Sequence, residues 1–413
     1  MSPASTASAD ASWSTTIKPP TLNTPSATSV RIGSLDVYRG IVMFLLGLRL
    51  LQLDEVATHF PSSAIWQFLG HHSSHIPWVG CSLNDLIHPS FAFLTGASLV
   101  FSVNARSSKG QSQWHMTLHA LWRSVALICL GIFLRSVDYD MTNWTFDETL
   151  TQTGLGYMAV FALAYCGTRT RWVWFALLLI ASWSIYAFFP IMPPHANPVD
   201  FNTPEGWQHD FTGFFAHWNH NRNAGWYFDR WLLNEFPRES PYRGYLGGYS
   251  TLNFIPTIGT MILGLMAGTW LKQSAKPTKQ LALAGLACLA FSFFLHLGGI
   301  CPIVKRLWTP AWVFFSGGCC LLILSALYQI IDVKQWRRWS FPFVVIGVNS
   351  LAMYVMRHTL DAWSSHTLQK HFGTRVFQIF GPELQPVLIG AITFLLFWLA
   401  LLWMYRRKIY IRL

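Results

Sequence analysis

Apolar residues are gathered in long runs from about residue 36 to the carboxyl end, and short polar connections separate the runs. Each run is long enough to cross a hydrocarbon core of ~30 Å as a helix. The runs lie at 36–53, 82–104, 117–136, 150–168, 172–190, 250–271, 280–299, 309–331, 340–358 and 385–405. Because backbone groups in lipid must be satisfied within the protein, the pattern predicts an all-α, polytopic membrane bundle of about ten transmembrane helices.

The composition agrees with a lipid environment. Hydrophobic residues make up 52% of the 413 positions and charged residues only 11%, against roughly 25% charged in a soluble domain. A soluble chain of this length would need a charged surface, which 18 acidic residues cannot supply. We therefore expect an integral protein of the inner (plasma) membrane. The formal charge of +11 comes from short basic clusters between apolar runs, so we expect no nucleic-acid partner.

Lysine and arginine are distributed unevenly between alternate connections. The outer connections 54–81 and 137–149 contain neither residue, whereas every inner connection contains them. By the positive-inside rule, both termini are therefore predicted to be cytoplasmic. The basic inner residues are Arg106, Lys109, Arg169, Arg171, Lys272, Lys276, Lys279, Lys334, Arg337, Arg338, Arg406, Arg407, Lys408 and Arg412. The exceptions that this topology leaves in the short outer connections are Lys305, Arg306, Lys370 and Arg375.

Two segments differ in composition from the helical runs. Residues 1–33 are rich in Ser, Thr, Ala and Pro, which predicts a disordered cytoplasmic tail before a single transmembrane domain at 34–413. The outer connection 191–249 is long and rich in Trp, His, Asn and Arg. Long connections of this kind are often binding surfaces or lids, and an interfacial loop anchored by its tryptophans is the alternative.

Four histidines and an aspartate are concentrated at the outer mouth of the second predicted helix. They are His71, His72, His75, Asp85 and His88. Asp85 and His88 are three positions apart, so on a helix they share a face and could form a hydrogen-bonded relay. An ionisable residue inside a membrane segment indicates a functional site, because burying it unpaired is costly. Histidine suits proton uptake near neutral pH, and a neutral imidazole can also attack a thioester carbonyl.

Metal binding is a weaker interpretation of these histidines. His71 and His75 form the single pair with helical i, i+4 spacing, and a loop that contains Pro77 would not hold them on a helix. The seven cysteines show no metal-type spacing either, so no metal site is predicted. Cys81 and Cys301 fall near the outer ends of helices, where a disulfide between them is left open.

Two further features lie within the predicted helices. Arg49, inside the first helix, needs a carboxylate or carbonyl partner, for which Asp85 and Asp54 are candidates. The sixth helix carries Gly264 and Gly268 in a GxxxG spacing. Such spacing is typical of closely packed membrane helices, and the approach of a ligand to the backbone is the alternative.

The chain resembles the heparan-alpha-glucosaminide N-acetyltransferase family and its bacterial relatives among transmembrane acyltransferases. The resemblance begins at Ser34-Leu35-Asp36-Val37-Tyr38-Arg39-Gly40 and continues at His75-Ile76-Pro77-Trp78-Val79-Gly80, followed by Asp85-Leu86. Weaker similarities extend through Asn223-Ala224-Gly225 with Asp229-Arg230, Thr251-Leu252-Asn253, Leu307-Trp308 and Asn349-Ser350. Together these segments cover about residue 31 to the carboxyl terminus.

The resemblance implies a membrane bundle that uses acetyl-CoA as donor. By position in the H-x-x-W-x-G pattern, it makes His75 the acetyl-transfer residue, and Asp85 matches the family aspartate. The residues expected to bind substrate are Trp78, Arg49, His88, Asp229, Asn253 and Asn349. This chain departs from the animal members at 47–50, where they have an Asn, and at 244–247, where they have an Asp-Pro-Glu-Gly turn. Both departures lie on the outer side and bear on the acceptor.

The expected function is transfer of acetyl from cytoplasmic acetyl-CoA to the amine of an extracytoplasmic sugar. His75 would act as nucleophile or as base. Two alternatives stay open, namely O-acylation of a sugar hydroxyl and a transporter in which Arg49, Asp85 and His88 line an ion path. The expected partners are acetyl-CoA, the acceptor sugar and the bilayer, and a homodimer is left open. The candidate phosphate contacts on the inner face are Lys272, Lys276, Arg337 and Arg338, which the positive-inside rule also explains.

Overall fold

A computed structural model describes residues 32–192 and 201–411. Within these residues the chain is helical, and the β-structure is one isolated bridge. The helices are α1 (Gly33–Leu48), α2 (Leu53–His59), α3 (Ala64–Ser73), α4 (Ile87–Ser107), α5 (Gln113–Ser136), α6 (Thr149–Ala164), α7 (Thr168–Ala187), α8 (Ala224–Leu233), α9 (Phe254–Gln273), α10 (Pro277–Leu297), α11 (Pro310–Leu327), α12 (Phe341–Val348), α13 (Ser350–Thr359), α14 (Asp361–Phe372) and α15 (Gln385–Arg406). The predicted tail lies outside the described residues up to position 31.

Seven helical stretches in the described part of the chain are long and apolar enough to cross a membrane. They are Asn84–Ser107, Gln113–Ser136, Thr168–Ala187, Thr251–Gln273, Pro277–Leu297, Pro310–Val333 and Pro382–Arg406. Two of the predicted runs form shorter helices, since α1 and α6 have 16 residues each and therefore rise about 24 Å. The helical membrane bundle is thus confirmed, while the count of ten and the cytoplasmic termini stay predictions.

The ninth predicted run, 340–358, is a broken helix. Its two parts, Arg338–Val348 and Ser350–Thr359, meet at an angle of 66°. Asn349 stands at the break, where its side-chain amide donates to the Ile409 carbonyl at 3.0 Å and its oxygen accepts from the Ile411 amide at 3.1 Å. A broken helix is stable in a bundle when neighbouring groups satisfy the freed backbone, and here the segment after α15 packs against the break.

Helices α4 and α9 pack in close contact at the centre of the bundle. A Cβ atom on Gly264 would overlap the Phe93 carbonyl oxygen, and one on Gly268 would overlap that of Ala97. The GxxxG spacing therefore serves helix packing, as the small-residue pattern predicted. Helix α9 is buried along most of its length. This packing holds α4 in place, and Asp85 lies in the 3₁₀ turn that directly precedes α4.

The outer connection is folded over the helix ends where it is described, from residue 201 onward. It contains a short 3₁₀ segment at Gly213–Trp218 and helix α8. Trp218 is fully buried in a second apolar cluster, with Tyr186 of α7 and with Trp78 and Val304. The connection therefore has a core of its own. Its expected role as a binding surface or lid stays a prediction.

Candidate active site

The loop that carries His75 is held in place on both sides. Helix α3 ends at Ser73, and Pro77 prevents its continuation. The Trp78 indole is buried and donates to the Trp218 carbonyl at 3.1 Å. Val79 forms an antiparallel bridge with Val304. The bridge brings the loop beside the segment that precedes α11.

Asp85 lies in a 3₁₀ turn, Asn84–Leu86, that leads into α4. Its side chain is 1% exposed. One carboxylate oxygen, Oδ2, accepts from the Ser82 amide at 3.0 Å, from the Ser82 hydroxyl at 3.1 Å and from the Ile76 amide at 3.3 Å. These donors stabilise the charged carboxylate and fix its orientation. The other oxygen, Oδ1, faces His75.

Three charged or titratable groups meet at Asp85 Oδ1. His75 Nδ1 lies 2.8 Å from this oxygen, and Lys305 Nζ lies 2.9 Å from it. Lys305 Nζ and His75 Nδ1 are 3.0 Å apart. A carboxylate oxygen can only accept, so His75 Nδ1 carries the proton and donates it to Asp85. The lone pair of the neutral ring is therefore on Nε2, and the His75 side chain is 33% exposed.

The surroundings of His75 favour the neutral ring. Burial is the largest effect and lowers the pKa of His75, and the nearby Lys305 ammonium lowers it further. The bond to Asp85 and its negative charge act in the opposite direction. The result is a pKa of about 4, against an ordinary value of 6.5. At neutral pH the imidazole is uncharged, with an available lone pair.

Lys305 and Arg306 were not predicted as site residues. Lys305 is 7% exposed, and Arg306 donates to the Ile76 carbonyl at 3.3 Å and to the Gly247 carbonyl at 2.6 Å. Both cations lie over the Tyr249 ring, at 5.7 and 5.2 Å from its centroid. A sequence signal for them did exist, because both were exceptions to the positive-inside rule.

Asn253 and Asp229 form hydrogen bonds to the backbone of segments next to the site. The Asn253 amide donates to the Arg306 carbonyl at 2.8 Å. Asp229 of α8 accepts from the Thr251 amide at 2.9 Å and is 2% exposed. Burial raises the pKa of Asp229 to about 7. Both residues therefore hold the backbone around the start of α9 and the segment before α11.

The rings of Trp78 and His88 each pack against other aromatic rings. Trp78 is 1% exposed and contacts Trp207 and His220 through its ring. His88 is the second residue of α4, and its ring centroid lies 4.3 Å from that of Trp308. The His88 Nε2 atom is buried and has no hydrogen-bond partner within the described part of the chain. Neither residue contacts the His75 imidazole directly through a described hydrogen bond.

Neither carboxylate considered as a partner of Arg49 forms an ion pair with it in the described part of the chain. Asp85 pairs with Lys305 instead, and Asp54 is exposed on α2. No ion pair of Arg49 occurs among residues 32–192 and 201–411. Because α1 ends at Leu48 and Arg49 begins a 3₁₀ turn, its side chain is half-buried at a helix end rather than enclosed within a helix. Its charge still contributes to the lowered pKa of His75.

The remaining predicted groups lie apart from His75. Asn349 contacts the segment after α15. Cys81 and Cys301 are free thiols, and burial raises the pKa of each to about 12. Groups of three His, Cys, Asp or Glu suited to a metal are absent from the described residues. A separate cleft of about 880 Å³ is lined by Lys276, with Lys279 and apolar side chains of α10, and it shares no lining residue with the His75 cluster.

Two known proteins are similar to this chain in sequence. No protein-family model matches the chain. A heparan-alpha-glucosaminide N-acetyltransferase of Homo sapiens is 24% identical over 371 residues, which cover 80% of this chain and 53% of the relative. The Mus musculus protein of the same name is 24% identical over 375 residues, covering 80% and 54%. The chain spans about half the length of these curated relatives. Over most of its own length, the chain is therefore distantly similar in sequence to heparan-alpha-glucosaminide N-acetyltransferases.

Proposed function

We propose that the protein is a membrane acetyltransferase that moves acetyl from cytoplasmic acetyl-CoA to the amine of an extracytoplasmic sugar. The observation that carries the proposal is the bond from His75 Nδ1 to Asp85 at 2.8 Å, which directs the Nε2 lone pair away from the carboxylate. Carboxylate–histidine pairs of this kind select the tautomer and orient the ring for chemistry at the other nitrogen. The similarity to named N-acetyltransferases supports the choice of reaction.

His75 acts as the nucleophile in this proposal. An efficient general base has a pKa near the working pH, whereas the pKa of His75 is about 4. A neutral imidazole of low basicity is still available to attack a carbonyl carbon. In the first step, Nε2 forms a bond to the acetyl carbon, the carbon–sulfur bond breaks, and the electron pair leaves on the CoA sulfur, which takes a proton from water.

The second step transfers acetyl from His75 to the sugar. The neutral amine attacks the acetyl carbon, and the carbon–nitrogen bond to Nε2 breaks as its electron pair returns to the ring. The proton lost by the amine passes to Nε2 and then to water. Asp85 keeps its bond to Nδ1 in both steps and stabilises the positive charge on the acetylated ring.

The donor is proposed to approach from the basic inner face. Lys272, Lys276, Arg337 and Arg338 are the proposed contacts to its phosphates, since cations and planar guanidinium groups bind phosphate oxygens. Lys276 lines the 880 Å³ cleft, whereas Lys272 donates to Asn104 at 2.6 Å. Membranes with Lys276→Ala and with Arg337→Ala would show which of these cations raises KM for acetyl-CoA when it is removed.

A transporter without chemistry is less well supported. Its ion path would run through Arg49, Asp85 and His88. No described hydrogen bond links Asp85 to Arg49 or to His88, and Oδ1 is already shared by His75 and Lys305. Acceptor-dependent release of CoA thiol supports an enzyme, and solute uptake without thiol release supports a transporter.

The decisive experiment is a trapping assay on purified protein in detergent. Acetyl-CoA labelled in the acetyl group is supplied without acceptor, and labelled protein is isolated by acid precipitation. We expect label on the parent and on His71→Ala, which changes an exposed histidine of the same cluster, but not on His75→Ala. Thiol release that strictly requires an acceptor, with no labelled protein, would refute the nucleophile. A panel of amino sugars and their N-blocked hydroxyl analogues then separates amine from hydroxyl acceptors.

A further inference from the structure

We propose that Lys305 is a positioning residue of this reaction. Its ammonium keeps the His75 ring neutral, and it shortens the lifetime of the acetylated ring. The effect on the acetylated ring rests on the proposed function. The effect on the protonation of the ring does not, and it can be measured without turnover.

His75 and Lys305 share one oxygen of the Asp85 carboxylate. Asp85 Oδ1 accepts from His75 Nδ1 at 2.8 Å and from Lys305 Nζ at 2.9 Å. Lys305 Nζ and His75 Nδ1 are 3.0 Å apart and are both donors, so the carboxylate between them compensates their mutual repulsion. With the other tautomer, Nδ1 would present a lone pair to Asp85 at 2.8 Å, which is repulsive. Asp85 therefore selects the form with the free lone pair on Nε2.

The charge balance of the site favours an uncharged ring. Asp85 and Lys305 are 1% and 7% exposed and cancel each other. A proton on His75 would leave an uncompensated positive charge in a buried place, beside a second cation. The low pKa of His75, with burial and Lys305 as its two largest causes, agrees with this balance.

Other charged groups face His75 from neighbouring elements and stay in place when Lys305 changes. Arg49, at the end of α1, also disfavours the charged ring. Arg306 contacts the loop through the Ile76 carbonyl. His88 is the second residue of α4, and Asp85 favours the charged ring of His75. Removal of the Lys305 charge therefore leaves Asp85 as the closest charge and changes the sign of the local field.

The same field acts on the acetylated ring. Acetyl on Nε2 makes the ring positive, as a proton does, while Nδ1 keeps its bond to Asp85. The Lys305 ammonium at 3.0 Å from Nδ1 disfavours this cation and thereby favours departure of acetyl to the acceptor. Asp85 alone would stabilise the intermediate too well for rapid onward transfer.

A structural role is the competing explanation, in which Lys305 merely compensates a buried carboxylate. Carbethoxylation of His75 by diethylpyrocarbonate, followed by mass spectrometry, distinguishes the two, because only the neutral ring reacts. The reactivity is recorded against pH for the parent, Lys305→Met, Lys305→Arg and the double variant Lys305→Met with Asp85→Asn. Lys370→Met, which removes an exposed lysine of another outer segment, is the matched control, and modification of His71 is the internal reference.

We expect the half-reactive pH of His75 to lie near 4 in the parent, and to rise by about one unit or more in Lys305→Met. Lys305→Arg and Lys370→Met should keep the parent value. The double variant removes both members of a pair whose charges cancel, so its half-reactive pH should return toward the parent value. An unchanged half-reactive pH in Lys305→Met overturns the inference. In the trapping assay, labelled acetyl-enzyme should persist longer in Lys305→Met than in the parent. If the half-reactive pH rises but the lifetime of the acetyl-enzyme does not, the effect of Lys305 on the ring stands and its effect on acetyl transfer is refuted.

Discussion

Lys305 and His75 lie 3.0 Å apart although 230 positions separate them in the chain. The contact depends on the bridge between Val79 and Val304, which aligns the loop after α3 with the segment before α11. Lys305 directly follows the bridged Val304, and His75 lies three positions before the buried Trp78. The site is thus assembled from two segments that the packing of the bundle brings together, with Asp85 of a third segment between them.

Asp85→Asn should reduce acetyl transfer by about 10²–10⁴-fold, because the amide no longer selects the Nδ1-protonated ring. It should also lower stability by about 3–5 kcal/mol, since it leaves the buried Lys305 ammonium unpaired. Both effects are measured on detergent-purified protein, by thiol release and by thermal unfolding. Asp54→Asn, at an exposed position of α2, is the control and should alter neither. Full activity in Asp85→Asn would contradict the assigned role of the carboxylate.

The rate of acetyl-enzyme formation should be nearly independent of pH at neutrality and should fall only in acid. The neutral form of His75 reacts, and its pKa is lowered to about 4. The rate is therefore maximal well above pH about 4 and decreases as the pH falls through that value. Single-turnover labelling without acceptor gives the profile free from ionisation of the acceptor amine. A half-maximal rate near pH 6.5, the ordinary pKa of histidine, would show that burial and Lys305 do not lower the pKa of His75.

The sequence predicted His75 and Asp85 as site residues but not Lys305, and this difference has a physical origin. His75 and Asp85 are only ten positions apart, so a local motif contains both. Lys305 reaches them through tertiary packing, which periodicity does not encode, although its predicted outer location marked it as unusual. Asp85, a candidate partner of Arg49, pairs with Lys305 instead, and the substrate-binding role of Arg49 stays a prediction.

The end of α1 shows the same limit of hydrophobic pattern. A left-handed residue, Gln52 with φ of 47°, follows a 3₁₀ turn that ends the helix. Apolar residues continue through this break at Leu50, Leu51 and Leu53, so the pattern predicted an unbroken span. By contrast, the small-residue spacing in α9 correctly indicated close packing, because a missing side chain is visible in sequence.

Gly264→Leu should destabilise the bundle by several kcal/mol, on the order of 3 or more. Any Cβ at this position overlaps the Phe93 carbonyl oxygen of α4, and backbone atoms of two packed helices cannot move apart locally. Thermal unfolding in detergent measures the effect. Gly167→Ala is the matched control, because a Cβ there meets no atom within 4 Å. Equal melting temperatures for parent and Gly264→Leu would contradict the packing of α4 on α9.

Asp229→Asn should stabilise the protein at alkaline pH and have little effect in acid. Burial raises the pKa of Asp229 from 3.8 to about 7, so the folded chain binds a proton that the unfolded chain releases. This contribution is fully present below the unfolded value of 3.8 and is lost as pH rises through about 7. An asparagine has no proton to lose, and its side-chain oxygen can still accept from the Thr251 amide. The gain should therefore be on the order of 2–4 kcal/mol at pH about 8 and near zero at pH about 4. Melting temperatures of parent and variant across this range measure it, and a constant difference at all pH values would contradict a protonated Asp229 in the folded protein.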